Sequence, residues 1–222
     1  MKKTIKSPGN IWLLTREYGG LAGAGGVKDV TEQLSQALAA WSGRKVSVVL
    51  PRYGFLDPTR HGFSLLQDPL EPDRELVFDV EMNYAGQERR ETLTVWYAKS
   101  MKVNIYLLDS PRFREKSGVY TYTAADEVDN PTWQRGEGHF DYFAMNLLLQ
   151  KGAIQLLLSL QECPDIIHCH DGHTAVLPAI IAETPWLKNY FRHTGFLVTV
   201  HNAGVGYHQD VADLPYAKAM TG

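Results

Sequence analysis

Apolar positions along the chain recur with two different periods. Ile11-Trp12-Leu13-Leu14 is a continuous apolar run of strand length, as expected of a strand covered on both faces. Arg16 to Gly26 then carries five glycines and reads as a loop. From Val27 the period changes. Val27, Val30, Leu34, Leu38 and Trp41 recur at three- and four-residue steps, which predicts a helix with one apolar face, closed by Ser42-Gly43. Val46 to Leu50 is the next strand. A strand, a glycine-rich loop, a helix and a second strand make a βαβ unit and imply a parallel sheet.

Pro51 to Glu75, with four prolines, reads as loop. Leu76 to Tyr84, Thr92 to Ala98 and Val103 to Leu108 follow at short spacing and are rich in strand formers. With Ala85-Gly86-Gln87 as a hairpin tip, they predict an antiparallel or mixed insertion at a sheet edge. Asp109 to Gly138 is a long polar loop of the functional or mobile kind. Tyr142 to Leu160 is a helix buried on more than one side, since Asn146, Gln150, Lys151, Gln155 and Ser159 form only a narrow polar stripe. Ile166-Ile167 opens a strand, Thr174 to Glu183 is a helix with Pro178 near its start, and Phe196 to Val200 is the last strand. Gly204 to Gly222 has no period, and no internal repeat is found. The expected architecture is α/β: a Rossmann-like parallel sheet flanked by helices, in a single domain over residues 1–222.

Composition narrows the function classes. Hydrophobic content of 44%, charged content of 21% and a net charge of −3 describe an ordinary folded protein. No Lys/Arg cluster offers a footprint for nucleic acid or an anionic membrane, so neither is an expected partner. Two cysteines, Cys163 and Cys169, imply no disulfide framework and fit a reducing compartment. The basic start Met1 to Lys6 is followed by Ser7-Pro8-Gly9-Asn10 and too short an apolar run for a secretory signal. No stretch approaches the roughly 20 apolar residues of a membrane span. The expected location is the cytoplasm.

The chemistry-bearing residues gather at predicted strand ends, where open α/β sheets bind their ligands. In Pro164-Asp-Ile-Ile-His-Cys-His-Asp-Gly-His-Thr174, His168 and His170 share one strand face, while Asp171 and His173 lie at the turn. A zinc site of the His-x-His-x-Asp-His type is disfavoured because the order here is His-x-His-Asp-x-His, which redirects the carboxylate. Neutral imidazoles hydrogen-bonding a substrate remain, beside structural readings: a satisfied core histidine for His168, a helix N-cap for Asp171. Gly25-Gly26 ahead of a helix can admit an anion or serve a turn needing positive φ. The motif is neither G-x-G-x-x-G nor a Walker A loop. Asp29 in the first helical turn suits the helix dipole. Glu137, His139 and Asp141 precede the long helix, with Asp141 a natural N-cap. No Ser/His/Asp or Cys/His nucleophile system stands out.

Taken together, these motifs resemble bacterial glycogen and plant starch synthases. The histidine stretch is similar to their Pro-Asp-Val-Val-His-x-His-Asp-Trp-His-Thr, and Gly25-Gly26-Val27-Lys28-Asp29-Val30 to their Gly-Gly-Leu-Ala-Asp-Val. Val49-Leu50-Pro51-Arg52-Tyr53 and Val200-His201-Asn202 match two further strand ends. The resemblance implies the amino-terminal domain of a two-domain GT-B glucosyltransferase. Such an enzyme moves glucose from ADP-glucose or UDP-glucose to an α-1,4-glucan with retention, using neither metal nor cofactor. It implies that His173 hydrogen-bonds the transferred glucose. Gly25, Gly26, Asp29, His201 and Asn202 then lie on the donor side, and Glu137, His170 and Asp171 on the acceptor side. Asp141 or Glu137 takes the place of the acidic residue before the long helix, Asp141 being grouped with His173 as catalytic. Two positions depart from the pattern. The lysine of Lys-Thr-Gly-Gly is Gly23, leaving Arg16 or Lys28 as the cation that could replace it, and the tryptophan of His-Asp-Trp-His is Gly172. The carboxy-terminal nucleotide-binding domain is expected in another part of the enzyme or in a partner chain, so this chain is expected to lack turnover alone. The rival reading is a non-catalytic glucan-binding or regulatory module.

Overall fold

The computed structural model describes residues 7–82 and 89–203. The expected hairpin tip at Ala85-Gly86-Gln87 and the segment Gly204 to Gly222 lie outside these residues.

The sheet runs β3-β5-β6-β2-β1-β7-β8, with β4 also pairing β5. Its parallel part contains β1 (Asn10–Leu14), β2 (Lys45–Pro51), β6 (Val103–Asp109), β7 (Ile166–His170) and β8 (Gly195–Thr199). The antiparallel part, β3 (Ser64–Leu65), β4 (Val77–Glu81) and β5 (Arg90–Ser100), forms one edge, as the sequence predicts. The central strands β1, β2 and β6 are buried nearly throughout, because side chains on both faces are covered. At the margin β4 alternates, with Phe78 and Val80 inward. At the opposite edge β8 leaves Phe196, Leu197 and Val198 substantially exposed.

Helix α1 (Val27–Ala40) forms where predicted but presents a different face. Thr31, Ser35 and Ala39 are its buried residues, while Val30 and Trp41 are exposed. Small side chains at four-residue spacing let the helix lie close to the sheet, and Leu34 and Leu38 flank that seam. Helix α4 (Tyr142–Ser159) is buried around most of its girth. A Cβ on Gly152 would lie 2.9 Å from Leu108 and 3.1 Å from Leu93, so glycine permits the close approach of α4 to the sheet. The predicted polar stripe of this helix divides. Asn146 and Gln150 are fully buried, and Gln150 Oε1 accepts the Leu177 amide at 2.6 Å.

Two stretches, one read as loop and one as helix, are more finely divided. The long loop from Asp109 holds two short helices, α2 (Pro111–Arg114) and α3 (Ala124–Asp129), each with a side-chain cap, from Ser110 and Thr123. Residues 174–176 form turns, and α5 (Leu177–Glu183) starts beside Pro178, where proline suits the first turn. A sixth helix, α6 (Pro185–Tyr190), follows. None of these has the length that makes a hydrophobic period visible.

Candidate functional site

The carboxyl ends of β1, β2, β7 and β8 converge on one buried polar cluster. After β1 the chain places Thr15, Arg16 and Glu17, all buried. The Arg16 guanidinium donates to the Tyr53 hydroxyl at 3.2 Å, to Asn146 Oδ1 at 3.1 Å and to the Val119 carbonyl. It also lies 5.0 Å from the ring centroid of Tyr120 and 4.8 Å from that of Tyr142. Fully enclosed, Arg16 acts as a pin joining β1, β2, α4 and the long loop.

Glu17 faces the glycine-rich loop. Its Oε2 accepts the backbone amides of Ala24 (2.8 Å) and Gly25 (3.0 Å), and its Oε1 accepts the Tyr120 hydroxyl. The buried carboxylate thereby fixes the loop's inner side. Burial, with the hydrogen bond to Glu17, raises Tyr120 above the ordinary tyrosine range, so its phenol remains a donor. Gly25 and Gly26 need no positive φ, and a Cβ on either would meet nothing. The turn reading for these two glycines is therefore corrected. By contrast, Gly19 takes a φ of +44° and packs on Glu32, a true turn glycine. Open space beside Gly25 and Gly26 leaves the backbone approachable from outside, and the start of α1 carries no side-chain cap. Asp29 is exposed in that first turn.

Tyr120 links the loop to His173. The two rings stack with centroids 5.1 Å apart, and Tyr142 meets His173 edge-on at 5.6 Å. His173 makes no hydrogen bond to the described residues. Burial, with Arg16 nearby, pushes its pKa down to about 3, so the imidazole is neutral and keeps one donor and one acceptor.

His170 and His201 are joined at 2.8 Å between Nδ1 and Nε2. His170 Nε2 is buried without a partner, and burial followed by His168 and His201 pushes its pKa to about 3. His168 bonds the Thr199 hydroxyl at 2.7 Å, the satisfied core histidine the sequence allows. Asp171 adopts φ +60°, a left-handed conformation uncommon outside glycine. Its amide bonds Thr199 O, and its Oδ1 accepts the His201 amide at 2.7 Å. Asp171 therefore latches the end of β8 to the end of β7, and the N-cap expectation is corrected. Asn202 follows His201 and is exposed. Among the described residues, no group of three His, Cys, Asp or Glu stands close enough to hold a metal ion.

Of the two acidic candidates before α4, Asp141 occupies the N-cap position but caps nothing with its side chain. Its carboxylate instead meets Arg112 Nη1 at 2.6 Å and Lys116 Nζ at 2.8 Å, and Arg112 also grips Glu91. Burial alone would raise this carboxyl, but Lys116 and then Arg112 hold it below its usual range. Glu137 is exposed, and its carboxylate has no partner among the described residues.

Sequence reasoning missed Glu17, Tyr120 and Tyr142. Glu17 was within reach, because polar residues at the end of β1 obey the same strand-end rule as those after β7. Tyr120 lies in an aperiodic stretch that carries no comparable signal.

Comparison with known proteins places this arrangement. The family described as starch synthase catalytic domain matches residues 10–220. Glycogen synthase of Vibrio cholerae serotype O1 is 29% identical over 204 residues, covering 90% of this chain and 36% of that protein. Glycogen synthase 1 of Geobacter metallireducens is 30% identical over 180 residues, covering 80% and 31%. The catalytic domain of starch synthase IV from Arabidopsis thaliana, solved bound to ADP and acarbose, shares the fold. It aligns at a TM-score of 0.62 and 21% identity, over 89% of this chain and 34% of that one. The chain thus spans about a third of the length of these relatives. The family match runs from β1 past β8 and takes in every strand end that builds the site, so the chain belongs to the starch synthase catalytic domain family.

Proposed function

We propose that this chain is the amino-terminal half of a retaining glucosyltransferase of the GT-B type, which transfers glucose from a nucleotide sugar to an α-1,4-glucan. One observation carries this reading: a neutral His173 without a hydrogen bond among the described residues is held against Tyr120 and Tyr142 after β7, and Tyr120 is tied through Glu17 to the glycine-rich loop. A neutral imidazole fixed by two rings suits a sugar hydroxyl, which needs one donor or acceptor in a set direction. The open space at Gly26, at the start of an uncapped helix, suits the donor's anionic phosphates, while Glu17 holds the Gly25 amide.

In the proposed reaction the bond between glucose C1 and the phosphate oxygen breaks. A bond from C1 to a glucan hydroxyl forms on the same face, and the hydroxyl proton passes to the departing phosphate. His173 orients the glucose, while the Asp171 latch presents His170, His201 and Asn202 to the cleft. Glu137 and the Asp171 side border the glucan. Asp141, paired with Arg112 and Lys116, serves as the anchor that sets Tyr142 against His173. Asp29 complements the first turn of α1. The nucleotide is held by a carboxy-terminal domain, and the 222-residue chain alone lacks turnover. Two free cysteines are consistent with the cytoplasm as the site of action, and among the described residues no helix is long and apolar enough to cross a membrane.

The test supplies a synthase carboxy-terminal domain and follows labelled glucose from ADP-glucose and UDP-glucose into glycogen. Transfer that is lost in His173→Ala, with glycogen binding retained, is expected. Transfer unaffected by His173→Ala would overturn the reading in favour of a glucan-binding module.

A further inference from the structure

Two sequence departures coincide in space. Residue 23 is glycine where the resembled pattern has lysine, and residue 28 is lysine where that pattern has alanine. Lys28 lies in the first turn of α1, and helical side chains lean toward the N-terminus. The Lys28 side chain accordingly runs back over Gly23. A Cβ on Gly23 would overlap Lys28 Cδ, and would lie only 2.9 Å from its Cβ and 3.0 Å from its Cγ. A side chain at 23 and the observed path of Lys28 exclude one another.

The other nearby cation cannot serve. Arg16 is fully enclosed, and its donors go to Tyr53, Asn146 and Val119. The amides of Ala24 and Gly25 are likewise taken by Glu17. The Lys28 ammonium, by contrast, has no ion-pair or hydrogen-bond partner among the described residues, and the stem that carries it runs over Gly23 in the glycine-rich loop.

We propose that Lys28 supplies the cation of the glycine-rich loop from the helix, binding the diphosphate of the donor, and that Gly23 is glycine so that Lys28 can lie there. The assignment of a diphosphate rests on the glucosyltransferase reading above. The geometric exchange of positions 23 and 28 does not.

Two experiments separate the claims. On the 222-residue chain, inorganic pyrophosphate should slow acetylation of Lys28 by at least about threefold, read by mass spectrometry, and leave Lys99 and Lys102 unchanged. An unchanged rate at Lys28 overturns the proposal, whether or not transfer is ever seen. In the two-domain enzyme, Lys28→Ala should raise the donor KM at least about tenfold and leave the glucan KM alone. Gly23→Ala should act in the same direction by displacing Lys28. The double variant Gly23→Lys with Lys28→Ala should return the donor KM to within about threefold of the parent. A donor KM unmoved by Lys28→Ala, or a double variant no better than Lys28→Ala, overturns it. Protection of Lys28 without any transfer by the parent would retain the anion site and reject the glucosyltransferase reading.

Discussion

Two polar clusters flank the start of α4, and they are finished differently. In one, Asp141, Arg112, Lys116 and Glu91 satisfy one another, so each charge has an opposite charge in contact. In the other, Glu17, Tyr120 and His173 are linked in series, but the series ends on open valences: an unbonded imidazole, approachable glycines and an unpaired Lys28. A closed set of charges serves the fold. A set that is rigid on one side and unfinished on the other is arranged for something that arrives later, because rigid supports keep the free groups aimed.

The contrast is broken most severely from the closed side. Arg112→Ala strips Glu91 of its partner and leaves Asp141 with Lys116 alone. Arg112 and Glu91 are only partly buried and Asp141 keeps Lys116, so urea unfolding should show a loss of about 1–3 kcal/mol. The open side should respond in activity instead. His173→Gln should change stability by no more than about 1 kcal/mol, yet lower glucosyl transfer in the two-domain enzyme by about a hundredfold, equivalent to roughly 2.7 kcal/mol.

Acid separates the clusters by window. His139, His170 and His173 are buried neutral, with pKa values pushed to about 4, about 3 and about 3, mainly by burial. An unfolded histidine titrates near about 6.5, so the stability these groups contribute is complete above that pH and declines as pH falls toward their folded values. At about 1.4 kcal/mol per pH unit for each proton, the three together approach a slope of about 4 kcal/mol per pH unit, seen as a falling Tm between pH 6.5 and 4. The depressed Asp141 contributes above about 3.9 and is lost only below it, as pH falls through its folded value. A Tm that is flat down to pH 4 would contradict the neutral burial of the histidines. The smallest effect is Gly25→Ala. With no positive φ and no neighbour for the new methyl, the unfolding free energy should move by less than about 0.5 kcal/mol in denaturant titration.

The sequence disclosed whatever rests on a period or a strand end. β1, β2, β6 and β7 were legible because central parallel strands are continuous apolar runs, and the histidines after β7 were legible as polar residues at such an end. The buried face of α1 was not. Thr31, Ser35 and Ala39 pack because they are small, and a search for large apolar residues reads past them. Asp141 was legible as an N-cap by type and position, but its partners Arg112 and Lys116 are set by the capped turn of α2, a matter of three-dimensional approach. Tyr120 takes the place of a wall beside His173 from a stretch with no pattern at all, and the exchange between Gly23 and Lys28 needed side-chain directions before it could be recognised.

The edge strand β8 has a practical consequence for handling the protein. Phe196, Leu197, Val198 and Val200 are all substantially exposed, and among the described residues β8 pairs only with β7. Such an edge is a template for a strand from a neighbouring molecule. Concentrated solutions of this chain should therefore turn cloudy by edge-to-edge growth well below the temperature at which the fold melts. A lysine at Leu197 or Val198 should clear them without altering the site.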